Sequence, residues 1–198
     1  WKNFSKDDYS FAADALVHVA RPRAATWARL RLAMGGHSRK ADARAIEHHY
    51  DVSNAFYQLW LDRNMAYSCA YFRCDTDSLD AAQEQKFEHI CRKLMLAPGE
   101  RLLDIGCGWG GLIMHAARCH GVQALGITLS RNQFDYARER IAREGLADRC
   151  RVGLLDYRDV PEREKFDKIA SVGMFEHVGL GNLPLYFGKI ERLLADDG

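Results

Sequence analysis

The chain has 198 residues, 47% of them apolar and 28% charged, with 28 Lys and Arg against 27 Asp and Glu. That length supports one domain with a substantial core and an attached segment, and falls short of two equal domains. A net charge of +1 argues against a protein that wraps polyanions, and no apolar run approaches the roughly 18 residues of a membrane span.

The N-terminus lacks the charged start, apolar stretch and small-residue cleavage site of a signal peptide. It begins at Trp1 and not at Met, so residues upstream are expected. Six cysteines (Cys69, Cys74, Cys91, Cys107, Cys119, Cys150) show no Cys-x-x-Cys spacing, which predicts free thiols in a reducing, cytoplasmic setting and no structural zinc. His48 and His49 are adjacent, and neighbours on a helix point apart, so no metal site is expected there either.

Residues 1–44 read as a basic helical or linker segment. Between Ala15 and Ala41 there are six Lys and Arg and no acidic residue, with Trp27, Leu30 and Met34 at helical spacing. Three readings stand: a solvated connector, a segment lying on anionic lipid at about 1 kcal/mol per basic residue, or a nucleic-acid patch. From Ile46 to Leu61 the apolar spacing suggests one or two short amphipathic helices with Ser53 as N-cap, followed by a turn at Asp62-Arg63-Asn64. Ser78 caps the next helix, whose stripe is Leu79, Ala82, Phe87, Ile90 and Leu94, and Pro98-Gly99 ends it.

Beyond this point strands and helices alternate. Strands are predicted at 101–105, 122–128, 149–155 and 168–172. Helices are predicted at 111–120, from Ser130 to a stop at Gly145, and at 183–194. Such alternation implies an α/β fold, a Rossmann-like parallel sheet covered by helices, with the first strand central and its loop at the switch point where ligands bind.

That loop carries the strongest signal: Leu102-Leu103-Asp104-Ile105-Gly106-Cys107-Gly108-Trp109-Gly110-Gly111. Gly106 and Gly108 allow a tight turn and close backbone approach to a ligand. Asp104 precedes the first glycine by two, where its carboxylate can meet an amino-acid moiety, and the combination looks like the motif of S-adenosylmethionine methyltransferases. After the second strand, Thr128 and Gln133 can hydrogen-bond a cofactor, while Ser130 and Gln133 can equally form a capping box. Asp156 offers a carboxylate to an adenine amino group and Tyr157 a ring to the base; the alternatives are a loop residue and a lid on the core.

His49-Tyr50-Asp51-Val52-Ser53-Asn54-Ala55-Phe56-Tyr57, Tyr67-Ser68-Cys69-Ala70-Tyr71-Phe72, the 104–111 loop, the 128–133 turn and Ser171-Val172-Gly173-Met174-Phe175-Glu176-His177-Val178-Gly179 follow in this order. Together, from about Ala45 to the C-terminus, they resemble the cyclopropane-fatty-acyl-phospholipid synthase family, which includes the mycolic-acid cyclopropane synthases. The phospholipid branch looks nearer.

The resemblance implies a methyltransferase domain over 45–198 that uses S-adenosylmethionine. Its cofactor contacts would be Tyr67, Ser68, Asp104, Gly106, Gly108, Trp109, Gly110, Thr128, Gln133, Asp156 and Tyr157. It further implies that the cis double bond of an unsaturated phospholipid acyl chain attacks the sulfonium methyl. Tyr67, Tyr71, Phe72 and Trp109 are suitable cation–π partners for the charge that develops, or alternatively core. A bound bicarbonate then takes a proton as the ring closes, with Cys69 and Glu176 as catalytic residues contacting it. Cys69 is an anion contact in this scheme and not a nucleophile.

The implied location is the inner face of the membrane, peripherally bound, with no nucleic-acid partner; assembly as a homodimer is left open. Lipid C-methylation, small-molecule N-methylation and a non-catalytic cofactor- or membrane-binding fragment are the alternatives. Asp196-Asp197-Gly198 reads as the turn into a fifth strand. The resemblance implies further strands and a His, an Ile backbone group and a Tyr beyond it, so a domain truncated after its fourth strand is expected.

Overall fold

The structure is a computed structural model that describes residues 53–196. The basic segment to residue 44, the predicted helical start at Ile46, and Asp197 and Gly198 lie outside the described residues.

Strand β1 (Arg101–Ile105) shows how the sheet is built: every residue after Arg101 is buried. A parallel strand covered by helices on both faces has no solvent side, so it reads as a nearly continuous apolar run. Alternation along the strand sends Leu102 into one core with Ile113, Met114 and Val122, and Leu103 and Ile105 into the other with Ile127, Phe166 and Leu193. Asp104 falls on the side of Leu102, so the same alternation carries a carboxylate inward.

Strand β2 (Gln123–Thr128) pairs with β1, β3 (Cys150–Leu154) with β2, and β4 (Lys168–Ala170) with the other side of β1, all parallel, in the order β3-β2-β1-β4. The Rossmann-like arrangement expected from the sequence is thus present, with β1 inside. Asp104 sits level with Gly126 on one side and Ala170 on the other. Because the chain steps outward to β3 and then returns to the far side of β1, loops diverge at the carboxyl ends of β1 and β4 and leave a crevice. The fourth strand is shorter than the predicted 168–172, since the chain leaves the ladder after Ala170 and turns at Gly173 with φ +75. Further on, Leu194 bridges to Phe166 in parallel and the Ala195 amide donates to the Phe166 carbonyl at 2.9 Å.

Helix α1 (Asn54–Gln58) starts at Ser53, whose hydroxyl accepts from the Phe56 amide, and α2 (Leu79–Lys93) starts at Ser78, whose hydroxyl accepts from Ala81. The buried face of α2 is Ala82, Gln83, Lys86, Phe87 and Cys91, whereas Leu79 of the predicted stripe is exposed. Helices α3 (Gly111–His120), α4 (Arg131–Arg143) and α5 (Leu183–Leu193) match the predicted spans to within two residues. No helix among the described residues is long and apolar enough to cross a membrane.

Helix α3 reaches the sheet closely because Gly126 lacks a side chain: a Cβ there would lie 2.7 Å from Cys107 Cβ and Sγ and 2.9 Å from Ile113 Cδ1. Gly126→Ala is therefore expected to destabilise the fold by about 1–3 kcal/mol, the usual range for overpacking a tight core. Urea denaturation should show the midpoint lowered with an unchanged slope.

Candidate functional site

A cleft opens at the switch point, floored by the carboxyl ends of the strands and lined by segments from every one of them. The β1 end contributes Asp104 to Trp109, the β2 end Ile127 to Leu129, the chain after β3 Leu155 to Arg158, and the chain after β4 Val172 to Met174. The fourth wall comes from before the sheet: Met65 to Ser68 and, from α2, Lys86, Phe87 and Ile90.

Gly106 makes the floor open. Its φ of +80 is readily adopted by glycine, and a Cβ would lie 2.7 Å from Met174 Cβ. Gly110, at φ +83, turns the chain into α3 and packs toward Ala137 and Met114; it does not line the cleft. The indole of Trp109 is buried, donates from Nε1 to Asn54 Oδ1 at 2.7 Å, and packs on Tyr57 with centroids 4.9 Å apart. Asn54 also donates to the Asn132 carbonyl at 3.4 Å, so α1 fastens the glycine loop to the start of α4.

The Tyr67-Ser68 wall is held by its own capping network. Asp62 accepts from the Asn64 and Ala66 amides at 2.9 and 2.7 Å, and Met65 takes φ +56 between them. Gln83 and Lys86 on α2 reach up to this wall: Gln83 Nε2 donates to the Ser68 carbonyl at 2.9 Å, and Lys86 Nζ donates to Ser68 Oγ at 2.7 Å.

Two opposite charges therefore face one cleft. Burial pushes the Asp104 carboxyl up to about 7, with Lys86 pulling against it. Burial likewise pushes the Lys86 ammonium down, opposed by Asp62, Cys69 and Asp104. Both side chains are less than a tenth exposed, and a buried, incompletely paired charge is costly to keep without a ligand to answer it. An α-amino acid end, ammonium and carboxylate on one carbon, has the complementary charges.

At the β2 end, Thr128 Oγ1 donates to Gln133 Oε1 at 2.7 Å and accepts from the Ser130 amide at 3.2 Å. Ser130 Oγ accepts from the Gln133 amide at 3.3 Å. Half of the capping box is thus formed. The returning arm is replaced by the Thr128 hydroxyl, and the Gln133 side chain stays buried on the cleft wall. After β3, both oxygens of Asp156 accept from Arg158, at 2.9 and 2.6 Å, and Tyr157 packs edge-on against Tyr186.

A family model described as mycolic acid cyclopropane synthetase matches residues 37–198. The chain belongs to that family. It is 56% identical over 162 residues to a probable fatty acid methyltransferase of Pseudomonas putida, covering 82% of this chain and 41% of that protein. Over 150 residues it is 47% identical to the cyclopropane-fatty-acyl-phospholipid synthase of Escherichia coli K12, covering 76% and 37%. A mycolic acid cyclopropane synthase crystallised with SAH and CTAB superposes with a TM-score of 0.74 at 37% identity, covering 80% of this chain and 54% of that one. Coclaurine N-methyltransferase bound to N-methylheliamine and SAH superposes at 0.69 and 26% identity, covering 86% and 54%. The chain thus spans about two fifths of the length of these two curated relatives.

Within this family member the cleft gathers Tyr67, Ser68, Asp104, Gly106, Gly108, Trp109, Thr128, Gln133, Asp156 and Tyr157. Cys69 and Glu176 are exposed and stand outside its lining, although their segments approach: a Cβ on Gly173 would lie 3.7 Å from Ser68 Cβ. Tyr71 and Phe72 are also exposed and outside the lining; Tyr71 stacks on His89. Sequence reasoning passed over Lys86. The available signal was a lysine lying four residues after Ala82 and four before Ile90, inside an apolar stripe.

Proposed function

We propose that this chain is the cofactor-binding part of an S-adenosylmethionine-dependent enzyme that adds a methylene to the cis double bond of unsaturated phospholipid acyl chains. The observation that carries the reading is the cleft whose lining includes both Asp104 and Lys86, each buried, in a chain of the cyclopropane synthetase family. Asp104 would accept from the cofactor's ammonium and Lys86 would donate to its carboxylate. Gly106 and Gly108 would let the backbone approach, and Thr128, Gln133, Asp156 and Tyr157 would flank the nucleoside. When bound, the cofactor supplies an electrophilic sulfonium methyl.

An alkene has no proton to give up before it attacks, so no strong base is needed at the nucleophile. The surroundings must instead tolerate positive charge, and the Tyr67 ring at the cleft mouth and the Trp109 indole in its wall offer π-faces worth about 0.5–2 kcal/mol each. Ring closure releases a proton from the new methyl group. A bicarbonate at the rim would suit that need, with the Cys69 thiol donating to it and the Glu176 carboxylate accepting its O–H.

Incubating the full-length protein with labelled cofactor and vesicles of unsaturated phospholipid tests the reading. Label recovered in the acyl chain as one added CH₂, with cyclopropane ring protons in the NMR spectrum, is the expected result. Label in a branched alkene would make it a lipid C-methyltransferase, in line with the fatty acid methyltransferase relative, and label on an amine would overturn the lipid reading. Glu176→Gln is expected to lower ring formation about tenfold or more while cofactor affinity stays within about twofold, the pattern of a group acting on proton transfer. Unchanged turnover would remove Glu176 from the scheme.

A further inference from the structure

Five residues beyond Lys86 on the buried face of α2, three metal-ligating side chains converge. Cys91 Sγ and one ring nitrogen each of His115 and His120 all lie within 4.8 Å of one another. Cys91 comes from α2, His115 and His120 from α3, and the two helices meet closely because Gly111 leaves room. A Cβ there would lie 2.8 Å from Phe87 Cζ and 3.1 Å from the Asn64 carbonyl. Cys91 is fully buried, and the two imidazoles are only 15% and 18% exposed.

We propose that Cys91, His115 and His120 bind one divalent cation of the zinc class and that this site clamps α2 to α3. A point central to a triangle of that size is roughly 2.8 Å or less from each vertex, so sub-ångström side-chain shifts reach the 2.0–2.3 Å of zinc–nitrogen and zinc–sulfur bonds. Sulfur with imidazole is a donor set that favours zinc over magnesium or calcium. Glu88 supplies the outer support: its Oε2 contacts His120 Nε2 at 3.0 Å and His115 Nε2 at 3.4 Å, which orients both rings. Cys119, an exposed thiol whose Sγ is 4.0 Å from His115 Nδ1, is the candidate fourth ligand. On binding, a metal–sulfur bond forms, the Cys91 S–H bond breaks, and the proton leaves to solvent.

The linear sequence hides this cluster because its ligands come from two helices, with no pair at finger-like spacing. The site's consequence is mechanical. Helix α2 carries Lys86 and Gln83 to the cleft wall, and α3 begins where the glycine loop ends, so a clamp between them braces the cofactor cleft without touching it.

The test uses full-length protein stripped with a chelator and titrated with Zn²⁺ against a chromophoric competitor. One equivalent per chain is expected, and Co²⁺ loading should give a thiolate-to-cobalt charge-transfer band. Cys91→Ser should abolish that band. Glu88→Gln, which preserves volume, should weaken zinc about 10- to 100-fold while cofactor affinity and circular dichroism stay unchanged. Sub-stoichiometric zinc, a cobalt spectrum without the thiolate band, or zinc affinity unchanged in Glu88→Gln and His120→Gln would each overturn the site.

Discussion

Asp104→Asn is expected to weaken cofactor binding by roughly 10²–10³-fold, the cost of leaving a buried ammonium unanswered, and at the same time to make the ligand-free protein more stable. Both effects have one cause. The folded carboxyl titrates at about 7 against an ordinary 3.8, so between those values the folded state holds a proton that the unfolded state has lost. Stability therefore falls as pH rises through that window and levels off above it, by about 4 kcal/mol if no other group responded. The amide never charges, so the variant should match the parent near pH 4 and exceed it by about 2 kcal/mol at pH 8; the gain is reduced because Lys86 loses its partner. Urea midpoints across that range check this.

The parent's cofactor affinity should run the other way. It should fall up to about tenfold per unit below pH 7, as the carboxylate needed by the ammonium is lost, and the Asp104→Asn substitution should flatten that slope. A variant less stable than the parent at pH 8 would show that Asp104 is a structural acid held by its neighbours and not strained for a ligand.

The same residue shows what a sequence can reveal. Strand β1 and its glycine loop were legible because one strand position, one pattern of alternation and one left-handed turn are all encoded within ten residues. Helix α4 was legible through Ser130, and even there Thr128 displaced the expected arm of the capping box, since a hydroxyl two residues upstream reaches the Ser130 amide more directly than the Gln133 side chain does. What could not be read were contacts that close over long separations. Lys86 belongs to the cleft only because α2 packs under the Tyr67-Ser68 wall. Asn54 matters only because it meets Trp109. Cys91 meets His115 and His120 only after α2 and α3 have docked at Gly111. Local chemistry was visible, whereas chemistry assembled by packing required the fold.

Lys86→Met offers the second large effect and separates recognition from scaffolding. The ammonium donates to Ser68 Oγ at 2.7 Å and faces the same cleft as Asp104, so it can act on the cofactor directly or by holding the Tyr67-Ser68 wall in place. If it pairs with the cofactor's carboxylate, Met should weaken S-adenosylmethionine about 10²-fold, the size of a buried charge-assisted contact. Decarboxylated S-adenosylmethionine, which keeps the amine and lacks the carboxylate, should bind parent and variant within about twofold of each other. Asp104→Asn should weaken both ligands, because both carry the amine. Lys86→Arg should restore only part of the loss, since the guanidinium keeps the charge but cannot occupy a space shaped for a single ammonium. Ser68→Ala supplies the remaining control. If Lys86 works through the wall, Ser68→Ala will reproduce the Met variant and both ligands will weaken together, and direct carboxylate recognition by Lys86 is then wrong.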